Sequence, residues 1–110
     1  FYVRGEIMQR ERFQTWLLTV KCKNKAQTSD NLSRVQRVEN AFTEWLEVVV
    51  DIDEECKKDL CTRLMGYLNV QERNKIPASI NLPQNMTGLS TLKSAVKNYV
   101  EFYEWDQKSK

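Results

Sequence analysis

The chain has no histidine among its 110 residues, and only three glycines, two prolines and three cysteines. Without histidine it lacks the commonest general base and the commonest metal ligand. Gly5, Gly66 and Gly88 are too scattered to build a phosphate-cradling loop. So few glycines and prolines exclude a collagen-like or low-complexity chain. No apolar run approaches the roughly 18–20 residues of a membrane span. Neither Asn-Gly nor Asp-Gly occurs to mark a hairpin, and no internal repeat is present. The cysteines form no C-x-x-C pair, which excludes a zinc site, and their odd number fits a reducing cytoplasm better than secretion. Cys56 and Cys61 lie on one expected helix at a spacing that points them in different directions, and both read as small buried apolar residues.

What remains is a chain with 41% apolar residues, enough for one modest core in one domain. Residues 1–7 lack clear periodicity and read as a tag remnant or part of an upstream segment. A start at Phe rather than Met is expected of a piece of a longer protein, with Met8 as an alternative start. Residues 8–105 read as a single helical domain and 106–110 as a frayed tail. No secretory signal is visible.

Four helical stretches are expected. Ile7, Phe13, Trp16, Leu17 and Val20 recur at helical spacing and predict a helix over 6–20. Leu32, Val35, Val38, Phe42, Trp45, Leu46 and Val49 share one arc of a second, starting at a cap on Ser29 or Asp30. The acidic run Asp51 to Glu55 suits the first turn of a third helix over 53–69, with Cys56, Leu60, Leu64 and Leu68 as its stripe. Pro77 and Pro83 make 70–87 a long connection, with Leu82 as a possible core anchor. A fourth helix is expected from Ser90, burying Leu92, Ala95, Val96, Tyr99, Phe102 and Tyr103. The fold class expected is all-α, a compact bundle of four main helices burying Trp16, Leu17, Val35, Val38, Phe42, Trp45, Leu60, Leu64, Val96, Tyr99 and Phe102.

An assembled catalytic site is missing from the pattern. No histidine stands ready to activate a serine or cysteine, and G-x-S-x-G is absent. Asp51, Asp53, Glu54 and Glu55 could bind the cation of a nuclease, but capping a helix start already explains them. Neither a metal nor a cofactor is expected, and the chain by itself reads as no enzyme. The aromatics follow the helix period, so packing explains them better than stacking on nucleic-acid bases.

The 17 basic and 15 acidic residues leave a formal charge of +2, too little to imply a nucleic-acid partner alone. Their placement is uneven. Residues 1–40 carry eight basic and four acidic side chains, 41–72 three and eight, and 73–110 six and three. If the two ends meet, they form one basic face. The candidate contacts are Lys21, Lys23 and Lys25 in the first connection, Arg34 and Arg37 on the second helix, and Lys93 and Lys97 on the last. Spacings of three and four put each helical pair on one surface, where it could meet successive phosphates of duplex DNA.

The order of elements runs from F-x-x-W-L through a capped helix, the Asp51-Ile52-Asp53-Glu54 turn, a Leu-rich helix and a Pro-containing loop. It closes on a last helix reading Ser94-Ala95-Val96-Lys97-Asn98-Tyr99-Val100-Glu101-Phe102. This resembles the N-terminal core-binding, SAM-like domain of bacterial tyrosine recombinases, the phage integrases. It is also similar to helical N-terminal domains of bacterial restriction and mobile-element proteins. The resemblance covers roughly residues 8–105. It implies a non-catalytic bundle of about four helices that clamps one side of a DNA duplex, with Lys21, Lys23, Arg34, Arg37, Lys93 and Lys97 among the contacts. The family's catalytic Arg, His and nucleophilic Tyr lie in a separate domain, so Tyr99 and Tyr103, on the apolar face, are core residues. The leading expectation is a DNA-binding accessory domain; the alternative is a protein-interaction or self-association module without DNA binding.

Overall fold

The structure, a computed structural model, describes residues 9–108. The expectation for residues 1–7, and the place of Ile7 in the first stripe, lie outside them. Six helices and no strand are found among the described residues: α1 (Arg10–Thr19), α2 (Lys25–Leu46), α3 (Ile52–Asp59), α4 (Thr62–Tyr67), α5 (Val70–Arg73) and α6 (Met86–Lys108). The all-α class holds, with six helices in place of four.

The two long helices, α2 and α6, pack along each other, and α1 lies against both. Phe13, Trp16 and Leu17 of α1 meet Val35, Val38 and Phe42 of α2 and Val96, Tyr99 and Phe102 of α6 in one core. Aromatic edges knit it together: Phe13 stands edge-on to Tyr99 with ring centres 4.7 Å apart. α1 begins at Gln9 without a side-chain cap. Its first backbone donor is met from across the fold instead, because Gln9 N–H donates to the Tyr99 hydroxyl at 3.0 Å.

α2 starts about one turn before the expected cap at Ser29 or Asp30. Asn24 accepts from Gln27 N–H at 2.8 Å and the Gln27 side chain accepts from Asn24 N–H at 3.1 Å, a complete capping box. α6 likewise starts at Met86 rather than Ser90, with the Asn85 side chain accepting from Gly88 N–H at 2.7 Å. Gly88 is required there, since a Cβ would lie 2.5 Å from the Pro83 Cβ.

The expected single helix over 53–69 is broken. Leu60 and Cys61 both adopt left-handed backbone, with φ of 55° and 61°. Their N–H groups turn back to the Cys56 and Glu55 carbonyls, which ends α3 and restarts the chain as α4. The break rotates the apolar stripe, so Leu60 is 39% exposed, against expectation, while Cys61 is buried. It also corrects the divergent cysteines: the Sγ atoms of Cys56 and Cys61 are 3.3 Å apart. Both thiols are buried, as the sequence predicts. Trp45, expected in the core, is only partly buried against it.

The 70–87 connection is more ordered than expected. It opens with α5, and Ile76, Ile80 and Leu82 all reach the core. Arg73 organises it from inside. Its guanidinium, on a residue only 3% exposed, donates to the carbonyls of Ile76, Pro77, Ile80, Leu82 and Pro83. Of the expected frayed tail, 106–108 belong to α6 instead, with Asp106 buried and receiving both Arg12 guanidinium nitrogens, and 109–110 lie outside the described residues.

Candidate nucleic-acid interface

Seven basic side chains were candidates for one surface; the structure distributes them over several. Lys23 and Arg34 share one hollow. They line an open groove of about 270 Å³ between the start of α2 and the middle of α6, together with Gln27, Asp30, Asn31, Thr91, Ser94 and Asn98. Lys97 is exposed on α6 and does not line the groove. Across the groove, Asn98 Nδ2 donates to Asn31 Oδ1 at 2.8 Å, which fixes α2 against α6 and holds the two walls in register.

The other candidates go elsewhere. Lys25 lines a separate hollow with Gln14, Leu18, Thr28, Ser29 and Leu32. Lys93 borders a third, among Leu68, Asn69, Val70, Gln71, Met86, Leu89 and Ser90. Arg37 is occupied in fold maintenance: its Nε donates to the Asn81 carbonyl and its Nη2 to Asn81 Oδ1, both at 3.1 Å. Lys21 pairs with Glu101 at 2.8 Å and lies 5.8 Å from the centre of the Trp16 ring. Arg34 stands 3.9 Å from Asp30, one helical turn before it. That pair is exposed, so its mutual attraction is small and an incoming anion competes with Asp30 on favourable terms.

The groove's electrostatics therefore rest on two ammonium or guanidinium groups, one carboxylate and the N-terminal end of a 22-residue helix. Gln27, Thr91, Ser94 and Asn98 add hydrogen-bonding groups of the kind that hold phosphate oxygens. Sequence reasoning missed them, because it searched for positive charge. A signal existed: Asn31 stands next to the apolar stripe of α2, and Ser94 and Asn98 stand four apart on α6.

Several acidic side chains serve the fold. Asp51 caps α3 by accepting from Asp53 N–H at 2.9 Å, as expected of a helix start. Glu39, wholly buried, accepts from Ile52 N–H at 2.8 Å. Glu55 Oε2 takes Arg63 at 3.2 Å and Lys58 at 3.5 Å. Asp53 Oδ1 accepts from the Tyr99 hydroxyl at 2.7 Å and Gln9 Nε2 at 3.2 Å. Burial raises the Asp53 carboxyl above its ordinary 3.8, the two hydrogen bonds oppose this, and the charges of Asp51 and Asp106 add to the rise. Among the described residues, no group of three His, Cys, Asp or Glu side chains is placed to hold a metal ion, and no helix is long and apolar enough to cross a membrane.

An apolar groove of about 360 Å³ lies on another face, between α1 and α6, lined by Thr15, Trp16, Thr19, Val20, Phe102 and Trp105 with Glu11 and Arg12 at its rim. Val20 and Trp105 are exposed there, at 46% and 42%. Comparison with family models, curated proteins and solved structures yields no match to this chain.

Proposed function

We propose that this chain is a non-catalytic DNA-binding accessory domain, of the kind carried by mobile-element integrases or restriction-type proteins, working in the bacterial cytoplasm. The observation that carries the reading is the α2–α6 groove, where Lys23 and Arg34 come together among neutral hydrogen-bonding side chains. Lys23 and Arg34 supply charge to the phosphate backbone, and Gln27, Ser94 and Asn98 supply directional contacts. The groove is too shallow in cations for tight binding, and no helix presents a row of base-reading side chains. Binding is therefore weak, salt-sensitive and indifferent to sequence, and serves to align a separate catalytic module on the duplex. Replacing both Lys23 and Arg34 by Glu abolishes the mobility shift of a short duplex, whereas Lys25→Glu, in a different hollow, preserves most of it. Equal loss in both variants, or loss in neither, refutes the assignment of the groove.

A second reading is favoured by the α1–α6 apolar groove: self-association of two copies through Val20 and Trp105. It is tested by sedimentation over a range of concentrations. A dimer that disappears in Trp105→Glu, with no DNA binding at low salt, would establish it in place of the first.

A further inference from the structure

The left-handed break between α3 and α4 does more than rotate the apolar stripe. A continuous helix would separate residues five apart by more than a full turn and direct them to different sides. Instead, two consecutive non-glycine residues are held in the left-handed region that L side chains rarely adopt, and the result is a 3.3 Å approach of the Cys56 and Cys61 sulphurs. The approach is closed from solvent, with Cys56 at 2% and Cys61 at 0% exposure. The Cys61 thiol also leans toward the Ile52 carbonyl at 3.8 Å, so Ile52, Cys56 and Cys61 fix the pair from both sides of the break. The hydrogen bond with Cys56, then burial, then nearby charge push the Cys61 thiol up.

We propose that Cys56 and Cys61 are a disulfide-forming pair whose co-reactant is a small hydroperoxide. One sulphur, as thiolate, attacks the peroxide oxygen, forms a sulfenic acid and releases an alcohol or water. The second thiol then attacks the sulfenic sulphur, forming the S–S bond and releasing water. Two thiols are oxidised by two electrons in all, and the peroxide O–O bond is reduced. A larger disulfide oxidant is disfavoured by the burial of both sulphurs, and the exposed Cys22 takes no part.

The test uses the Cys22→Ser chain, so that only the pair can react. The folded protein is treated with hydrogen peroxide, quenched with catalase, unfolded, alkylated with N-ethylmaleimide and weighed. The expected product has lost about 2 Da, as a disulfide requires, takes up no maleimide, and regains both alkylation sites after dithiothreitol. Lys57 and Lys58 stand between the two cysteines, so trypsin leaves Cys56 and Cys61 on separate peptides that only the disulfide joins. Recovery of that joined pair from monomeric protein supports the proposal. Two alkylatable thiols, oxygen added without a cross-link, or a disulfide between two chains would each overturn it. These readouts need no cysteine substitution inside the core, so they stand even where Cys56→Ser fails to fold.

Discussion

At the scale of single residues, the polar groups taken out of water explain more of the architecture than the apolar ones do. Arg73 serves five carbonyls from a connection that has no regular ladder to satisfy them. Arg73→Met fills similar space but strands those oxygens, and is expected to lower the unfolding free energy by about 3 kcal/mol. Urea denaturation checks this, and a loss under about 1 kcal/mol would mean that Ile76, Ile80 and Leu82 hold the loop unaided. Asp53 makes a different prediction. Its folded-state pKa lies above the unfolded one, so its contribution to stability is fully present below 3.8 and is lost as pH rises through the folded value. Asp53→Asn keeps an Oδ1 acceptor for Tyr99 and Gln9 but cannot ionise. Relative to the parent chain it becomes more stable as pH rises from 3.8 through the folded value, above which the gap levels off. Urea midpoints at a series of pH values would show this as a growing gap; a gap independent of pH contradicts it. Nothing in the sequence singled out Arg73, because a buried arginine in a loop looks like any exposed one until the carbonyls around it are placed.

At the scale of elements, apolar spacing located the faces of α1, α2 and α6 but not their beginnings. A stripe begins at its first apolar residue, whereas a helix begins where an asparagine can accept from the first turn. Asn24 and Asn85 do so about one turn before Ser29 and Ser90, which the sequence favoured. Asn24→Ala removes the side-chain acceptor for Gln27 N–H while leaving the backbone half of the capping box, and is expected to cost about 1 kcal/mol, with Asn24→Asp largely neutral; thermal melts decide it. The far end of α2 is less well made. Glu47 is exposed, left-handed at φ 56°, and puts a negative charge at the negative end of the helix. Glu47→Gly removes the steric cost and the charge together, and is expected to stabilise the chain by about 0.5–1 kcal/mol. A lower melting temperature would contradict that. The α3–α4 break was invisible for a related reason: Leu60 and Cys61 have ordinary helix-compatible side chains, and only tertiary packing makes the left-handed corner worth its strain.

At the scale of the whole molecule, charge patterning led to the expectation of one basic face, whereas the structure distributes the candidate cations over several hollows. Lys23 and Arg34 share a groove, while Lys25 and Lys93 border other hollows, Lys21 pairs with an acid and Arg37 holds Asn81. The sequence carried the sign of each charge but not the partner that each side chain finds after α2 and α6 pack. With two cations engaging phosphates, the logarithm of DNA affinity should fall with the logarithm of salt concentration with a slope near −2, far shallower than seven contacts would give. The decisive measurement is fluorescence anisotropy of a labelled duplex titrated with this chain and with the Lys23→Glu, Arg34→Glu double variant over a salt series. The account predicts weak binding at low salt with that slope, and none by the folded double variant. No binding by the parent chain at the lowest salt, or equal binding by both proteins, would contradict it.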